Sequence, residues 1–233
     1  MSQTPAPQLP RAVVFDFDLT LADSSTAVVE CSNRALAELG FQTAEPQRVR
    51  GTIGLTLPQA FRELTGADDP LLAAEFSKRF VAHADGVMVL HTHVYPAVPA
   101  LLASLRSRGV RLAIVSTKFR YRIEAILSKS GIPGAVDVIV GGEDVKQHKP
   151  HAEGLLCALE RLEVPASLAV YVGDHPLDAE TAARAGTAFV AVRTGVSTTQ
   201  TWSSWQPLDV IDDVGGLLDV LARERDCSTL ENI

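Results

Sequence analysis

Five short runs are apolar at nearly every position: residues 12–17, 111–116, 136–140, 168–172 and 187–192. A strand with one wet face alternates apolar and polar residues, whereas a strand covered on both faces does not. The pattern therefore predicts a parallel sheet buried on both sides. Segments of helical spacing separate most of these runs, at 96–108, 119–130, 152–162 and 177–185. Gly109, Gly131 and Gly186 follow three of them, in the place where a left-handed residue ends a helix. Alternating strands and helices give an α/β fold, a Rossmann-like doubly wound parallel sheet with right-handed crossovers.

Residues 21–93 break the alternation. They hold no buried strand pattern but three helical stretches. One is capped by Ser24 or Ser25 and ends at Gly40, one spans 55–64 and ends at Gly66, and one spans 70–84 and ends near Gly86. This is an inserted α-helical cap subdomain (21–93) within a core made of 11–20 plus 94–233. An insert at the carboxyl end of the first strand lies over the place where such sheets bind ligands, as a lid would. Beyond residue 192 come a loop with Trp202 and Trp205, a short run at 209–211 and a final helix near 215–225. The tryptophans are expected to pack the tail on the core. Residues 1–10, polar and proline-rich, read as a flexible arm with no secretory signal.

Composition narrows the picture. The chain has 233 residues, 46% hydrophobic and 21% charged, close to the globular norm. Only 6% are aromatic, so aliphatic side chains must fill most of the core. No apolar run approaches the roughly 20 residues of a membrane-spanning helix. A net charge of −7 argues against nucleic acid or an anionic membrane as partner. It leaves a phosphate-bearing metabolite open, because a pocket can be locally positive. Cys31, Cys157 and Cys227 form no metal-binding spacing, and free thiols in a cytoplasmic setting account for them.

The polar residues just beyond the strands carry the chemistry. The first run leads into Asp16-Phe-Asp18-Leu-Thr20, the second into Ser116-Thr117-Lys118, and the fourth into Gly173-Asp174 with Asp178 four residues on. Lys149 precedes Pro150 just before a helix. Each has a bland reading: a solvated aspartate turn, a helix cap at Ser116 or Asp178, a surface lysine. Together they place Asp16, Asp18, Ser116 and Asp174 at the ends of three strands. Carboxylates gathered in one crevice repel one another and call for a hard cation. Mg²⁺ suits them, because it takes carboxylates and water and leaves room for a phosphate oxygen.

These segments resemble the haloacid dehalogenase-like hydrolase superfamily, with motifs DxDx[TV], a hydroxyl, a lysine and GDxxxD in order. The insert resembles the C1 cap of the subgroup that holds phosphoglycolate phosphatase and β-phosphoglucomutase. The resemblance implies Asp16 as nucleophile and Asp18 as general acid and base. It implies Mg²⁺ on Asp16, Asp174 and the Asp18 backbone carbonyl, with Asp178 holding Lys149 or a metal-bound water. Ser116, Thr117 and Lys149 would bind phosphate. Arg50 and Gly51, in the cap's specificity loop, and Lys118 are candidates for substrate contact; Arg120 is weighed with Lys118. Leu19 stands where glycine is usual, Ser116 for threonine, Thr117 for asparagine, Ala152 for proline and Ala97 for glycine.

The implied activity is Mg²⁺-dependent hydrolysis of a small, phosphoglycolate-like phosphomonoester by a monomer or homodimer. A phosphomutase, a pyrophosphatase, and a sugar-phosphate or nucleotide phosphatase are the alternatives. Asp18 speaks against a dehalogenase. A phosphonatase needs a cap lysine, and only Lys78 is present, on what reads as a solvated helix face. His91 and His93 read as a loop pair, and His175 as a turn residue.

Overall fold

The chain opens with β1 (Ala12–Phe15), followed by a two-residue strand β2 (Ala22–Asp23) and four helices: α1 (Ser25–Glu38), α2 (Pro46–Arg50), α3 (Leu57–Thr65) and α4 (Pro70–His91). Strand β3 (His93–Val94) returns the chain to the core. Then come α5 (Val98–Ser107), β4 (Arg111–Val115), α6 (Arg120–Lys129), β5 (Val138–Val140), α7 (Glu153–Leu162) and β6 (Ala169–Gly173). The remaining elements are α8 (Pro176–Ala185), β7 (Ala188–Val192), a short α9 (Thr199–Trp202), β8 (Asp209–Ile211) and α10 (Leu217–Cys227). This computed structural model describes residues 9–197, 199–202 and 204–227. Most of the arm expected at 1–10 lies outside them.

Six strands form one parallel sheet in the order β5-β4-β1-β6-β7-β8. β1 is central: Val13 pairs with Leu112 on one side and Val170 on the other. Its side chains alternate between two cores. Val13 and Phe15 pack with Leu102, Ile123 and Leu217, whereas Ala12 and Val14 pack with Leu155, Tyr171 and Trp202. Both faces are thus dry, which is why the strands read as unbroken apolar runs. Strand order reverses at β1, so the crevice beyond its carboxyl end, between β4 and β6, is the switch point where such sheets bind ligands. Trp202 is buried against the Phe189 ring, centroids 5.8 Å apart, and Trp205 packs on the same core.

The helices between β2 and β3 have a core of their own, with Phe61, Phe76, Phe80 and Met88 at its centre. The β2–β3 ladder, Ala22 opposite Val94 and Asp23 opposite His93, forms the stem. Two residues are too few for a periodic signal, so this ladder is not legible as strand. Nor is α2, whose five residues bury only Val49. Helix α4 runs past Gly86 to His91 rather than stopping near it. The ~1 kcal/mol that glycine costs mid-helix is outweighed by burial of Met88 in the next turn. Ser24 is the N-cap residue of α1, its carbonyl accepting from the Val28 amide at 2.9 Å, but neither serine hydroxyl caps the helix. Asp23 Oδ1 accepts from the Ser25 amide at 2.8 Å, and the Ser24 hydroxyl is buried without a hydrogen-bond partner. Gly66 and Gly186 end α3 and α8 at φ of 72° and 74°, as the glycine pattern predicts. Among the described residues, no helix is long and apolar enough to cross a membrane.

Candidate active site

Asp16 is the first residue past β1, its amide bonded to the Val172 carbonyl at 2.8 Å. The chain then turns sharply. Leu19 takes φ of 60°, a left-handed conformation that costs an L-residue roughly 1–2 kcal/mol. Full burial of its side chain offsets that cost. So do hydrogen bonds from its amide to Ala22 O at 2.7 Å and from the Thr194 hydroxyl to its carbonyl. The tight turn thus survives without glycine and aims both Asp16 and Asp18 into the switch-point crevice.

Lys149 joins three elements there. Its Nζ lies 2.8 Å from Asp16 and 2.6 Å from Asp178, and the residue is 7% exposed. Asp178, in the first turn of α8, is fully buried. Its Oδ1 also accepts from Tyr171 Oη at 3.1 Å, and its Oδ2 from the His175 amide at 3.1 Å. Every oxygen of Asp178 therefore has a donor. Asp174 accepts from the Thr20 hydroxyl at 3.0 Å.

Oxygens of Asp16, Asp174 and Asp178 all lie within 4.8 Å of one another. Burial pushes the Asp16 carboxyl up to about 7 despite the Lys149 ammonium beside it. Burial, with Asp16 and Asp178 nearby, holds Asp174 well above the usual carboxylate range. Burial opposes the charge on Lys149 too, but Asp16 and Asp178 together keep its proton bound well above the ordinary lysine range. One cation is thus set among three buried carboxylates. Asp16 and Asp174, whose charge burial disfavours, are a donor set that fits a hard, oxygen-seeking divalent ion. Asp178, already committed to three donors, orients Lys149.

Asp18 Oδ1 stands 3.2 Å from Lys118 Nζ, both residues being buried. The angle gives no hydrogen bond, so this oxygen has a charge beside it but no donor. Ser116 Oγ accepts from the Lys118 amide at 3.2 Å. Ser116, Thr117 and Lys149 line a small recess. Thr117 and His148 also belong to the wall of a larger cavity of about 500 Å³ between core and helical insert, which Asp18 and Lys118 line as well. Lys118, not Arg120, faces this space. Arg120 is exposed and pairs with Asp144 at 3.1 Å. The specificity-loop residues Thr52, Ile53, Gly54 and Leu55 line the cavity. Arg50 lies elsewhere, donating to Ser25 Oγ at 2.5 Å and to the Thr194 carbonyl at 2.9 Å. Gly51 is exposed outside the cavity wall. Lys78 contributes to the wall but is exposed. His91 and His93 belong to no acidic or metal-ligand cluster among the described residues. His175 begins α8, its Nδ1 accepting from the Leu177 amide at 3.1 Å.

The residue profile of the haloacid dehalogenase-like hydrolases matches residues 13–192, from β1 to the end of β7. The chain belongs to this hydrolase family. It is similar to a phosphoglycolate phosphatase of Rhodospirillum rubrum, 33% identical over 222 residues and covering 91% of each chain. A plasmid-borne phosphoglycolate phosphatase of Cupriavidus necator is 36% identical over 194 residues, 79% of this chain and 81% of that one. The crystal structure of a haloacid dehalogenase-like hydrolase from Bacteroides fragilis superposes with a TM-score of 0.86. It is 37% identical and covers 89% of this chain and 99% of that one.

Two site residues lay outside the sequence reading. Tyr171 sits mid-strand in an apolar run, where its hydroxyl gives no signal. Gly195 lies in the loop after β7, where a Cβ would stand 2.1 Å from Asp174 Oδ2. Gly173 shows the same crowding. A Cβ there would lie 2.5 Å from the Asp178 carboxyl, under any tolerable contact. Gly173→Ala is expected to displace Asp178 and with it Lys149, at about 1–3 kcal/mol in stability and a larger fractional loss in turnover. Thermal melting and steady-state rates measure the two. Unchanged kcat would show that Asp178 does not need its present place.

Proposed function

We propose that this enzyme hydrolyses a phosphomonoester through a phosphorylated Asp16. The observation that carries the reading is the junction of Asp16, Lys149 and Asp174 at the switch point, with Asp18 two residues on and facing the cavity. An Asp16 carboxylate oxygen bonds to phosphorus as the ester oxygen leaves, giving an aspartyl phosphate and splitting one displacement into two. Asp18 gives a proton to the leaving oxygen, then takes one from the water that cleaves the aspartyl phosphate. Lys149 holds the Asp16 carboxyl in place and, with Ser116 and Thr117, faces the transferring oxygens, whose charge must be spread in the transition state. Asp178 and Tyr171 fix Lys149 from behind.

Asp16 and Asp174, with the Asp18 carbonyl, would hold Mg²⁺. Bound there, the ion offsets repulsion between nucleophile and phosphate. Without it, Asp16 would share its carboxyl with a proton near pH 7. EDTA is therefore expected to silence release of p-nitrophenol from p-nitrophenyl phosphate, and added Mg²⁺ to restore it. Full activity after exhaustive chelation would exclude a metal-dependent site. The relatives' names make 2-phosphoglycolate the first metabolite to assay. Acid quench during turnover, followed by peptide mass spectrometry, tests the covalent step: a phosphoryl adduct is expected on the peptide containing Asp16, and an adduct elsewhere would refute the assignment.

A further inference from the structure

The cavity beside Asp18 says more about the alcohol that leaves than the phosphate chemistry does. It holds about 500 Å³, the size of sites that enclose drug-sized ligands. A two-carbon hydroxy acid would fill about 150 Å³ of it, at roughly 30 Å³ per water-sized group.

The space is not that of an insert swung away from the core. The Arg122 guanidinium on α6 reaches Asp85 at 2.6 Å and the Val81 carbonyl at 3.1 Å, both on α4. Arg50 bridges the insert to the Thr194 carbonyl at 2.9 Å. Gly54 sits so close over His175 that a Cβ there would touch the ring at 3.7 Å. Insert and core are therefore in contact at three points, and the cavity persists between them.

Its wall is mainly apolar: Val28, Ile53, Leu55, Phe80, Met88 and Phe119 all contribute. The two buried cations on it are both paired with carboxylates of the protein. Lys118 is 3.2 Å from Asp18, and Arg122 is bound to Asp85. A carboxylate on the leaving group would have to exchange its hydration for Lys118, once Asp18 is protonated, or for the exposed Lys78. An uncharged apolar group needs neither, and it gains from leaving water.

We infer that the substrate is a phosphomonoester of a larger, mainly apolar alcohol, seated with its carbon skeleton among Val28, Leu55, Phe80 and Phe119. This rests on the phosphatase reading above and specifies its leaving group. The test is a series of unbranched alkyl phosphates from ethyl to hexyl, with 2-phosphoglycolate and p-nitrophenyl phosphate alongside, all with Mg²⁺. The alkyl alcohols differ little in acidity, so the series reads burial. Expected is a rise in kcat/KM of about two- to fourfold per methylene, with hexyl phosphate well above 2-phosphoglycolate. A flat or falling series with p-nitrophenyl phosphate still hydrolysed would overturn the inference and leave the phosphatase reading standing. No phosphate release from any compound would overturn both. Leu55→Asp, on a half-buried loop position facing the cavity, is expected to flatten the rise, with circular dichroism reporting that the fold is kept. An unchanged slope in the folded variant would show that the chain binds elsewhere.

Discussion

Asp16→Asn is expected to lower kcat on p-nitrophenyl phosphate by at least ~10⁴-fold, since an amide cannot take the phosphoryl group and loss of a nucleophile removes a whole catalytic unit. The variant should nonetheless fold, and without metal it should be the more stable protein above neutrality. In the folded state burial pushes Asp16 from 3.8 up to about 7. Between those values the native protein binds more protons than the unfolded chain, so raising the pH favours unfolding. This contribution is fully present below pH 3.8 and is lost as pH rises toward about 7. The amide does not titrate and removes that loss. In EDTA, the Tm of the variant relative to wild type should therefore climb from pH 4 to pH 8. Added Mg²⁺ should raise the wild-type Tm more than the variant's. A Tm difference independent of pH would mean that Asp16 is not the strained carboxyl, and retention of most activity would remove it as nucleophile.

Lys149→Met carries the largest expected loss of stability. The ammonium stands 2.8 Å from one buried carboxylate and 2.6 Å from another. Methionine nearly matches its length but leaves both carboxylates without their cation. Breaking a buried pair from one side costs about 3–5 kcal/mol, and the lost electrostatic contact at the reacting group should lower kcat a further ~10²–10³-fold. Adding Asp178→Asn should return part of the stability, because one uncompensated charge goes with it. Calorimetric melting of the single and double variants checks this. Strict additivity, with no recovery, would show that Lys149 and Asp178 are not energetically coupled. Lys149→Arg should not rescue, as a planar guanidinium cannot occupy the place of a compact ammonium between two carboxylates.

The sheet, its burial on both faces and the order of strands and helices were legible in the chain because hydrophobic periodicity is a local signal. So were the residues that end strands β1, β4 and β6. A carboxylate just past a buried strand conflicts with local burial, and such conflicts mark function. Glycine at helix ends was legible for the same local reason. The short elements were not: β2, β3 and α2 have too few residues for any period and exist because the chain must leave and re-enter the core. Helix α4 outran its glycine because a distant surface buries Met88.

Within the site the divide is similar. Sequence alone determined which residue types stand at the mouth of the sheet, and hence the class of chemistry they suit. Only the tertiary structure decided how their charges are shared out. It gave Lys149 to Asp16 and Asp178 together, put Lys118 beside Asp18, turned Arg50 to the junction with Thr194, and brought an unremarked tyrosine hydroxyl to Asp178. Those pairings join residues up to 144 positions apart. Their strength depends on exclusion of water, which no local stretch of sequence specifies.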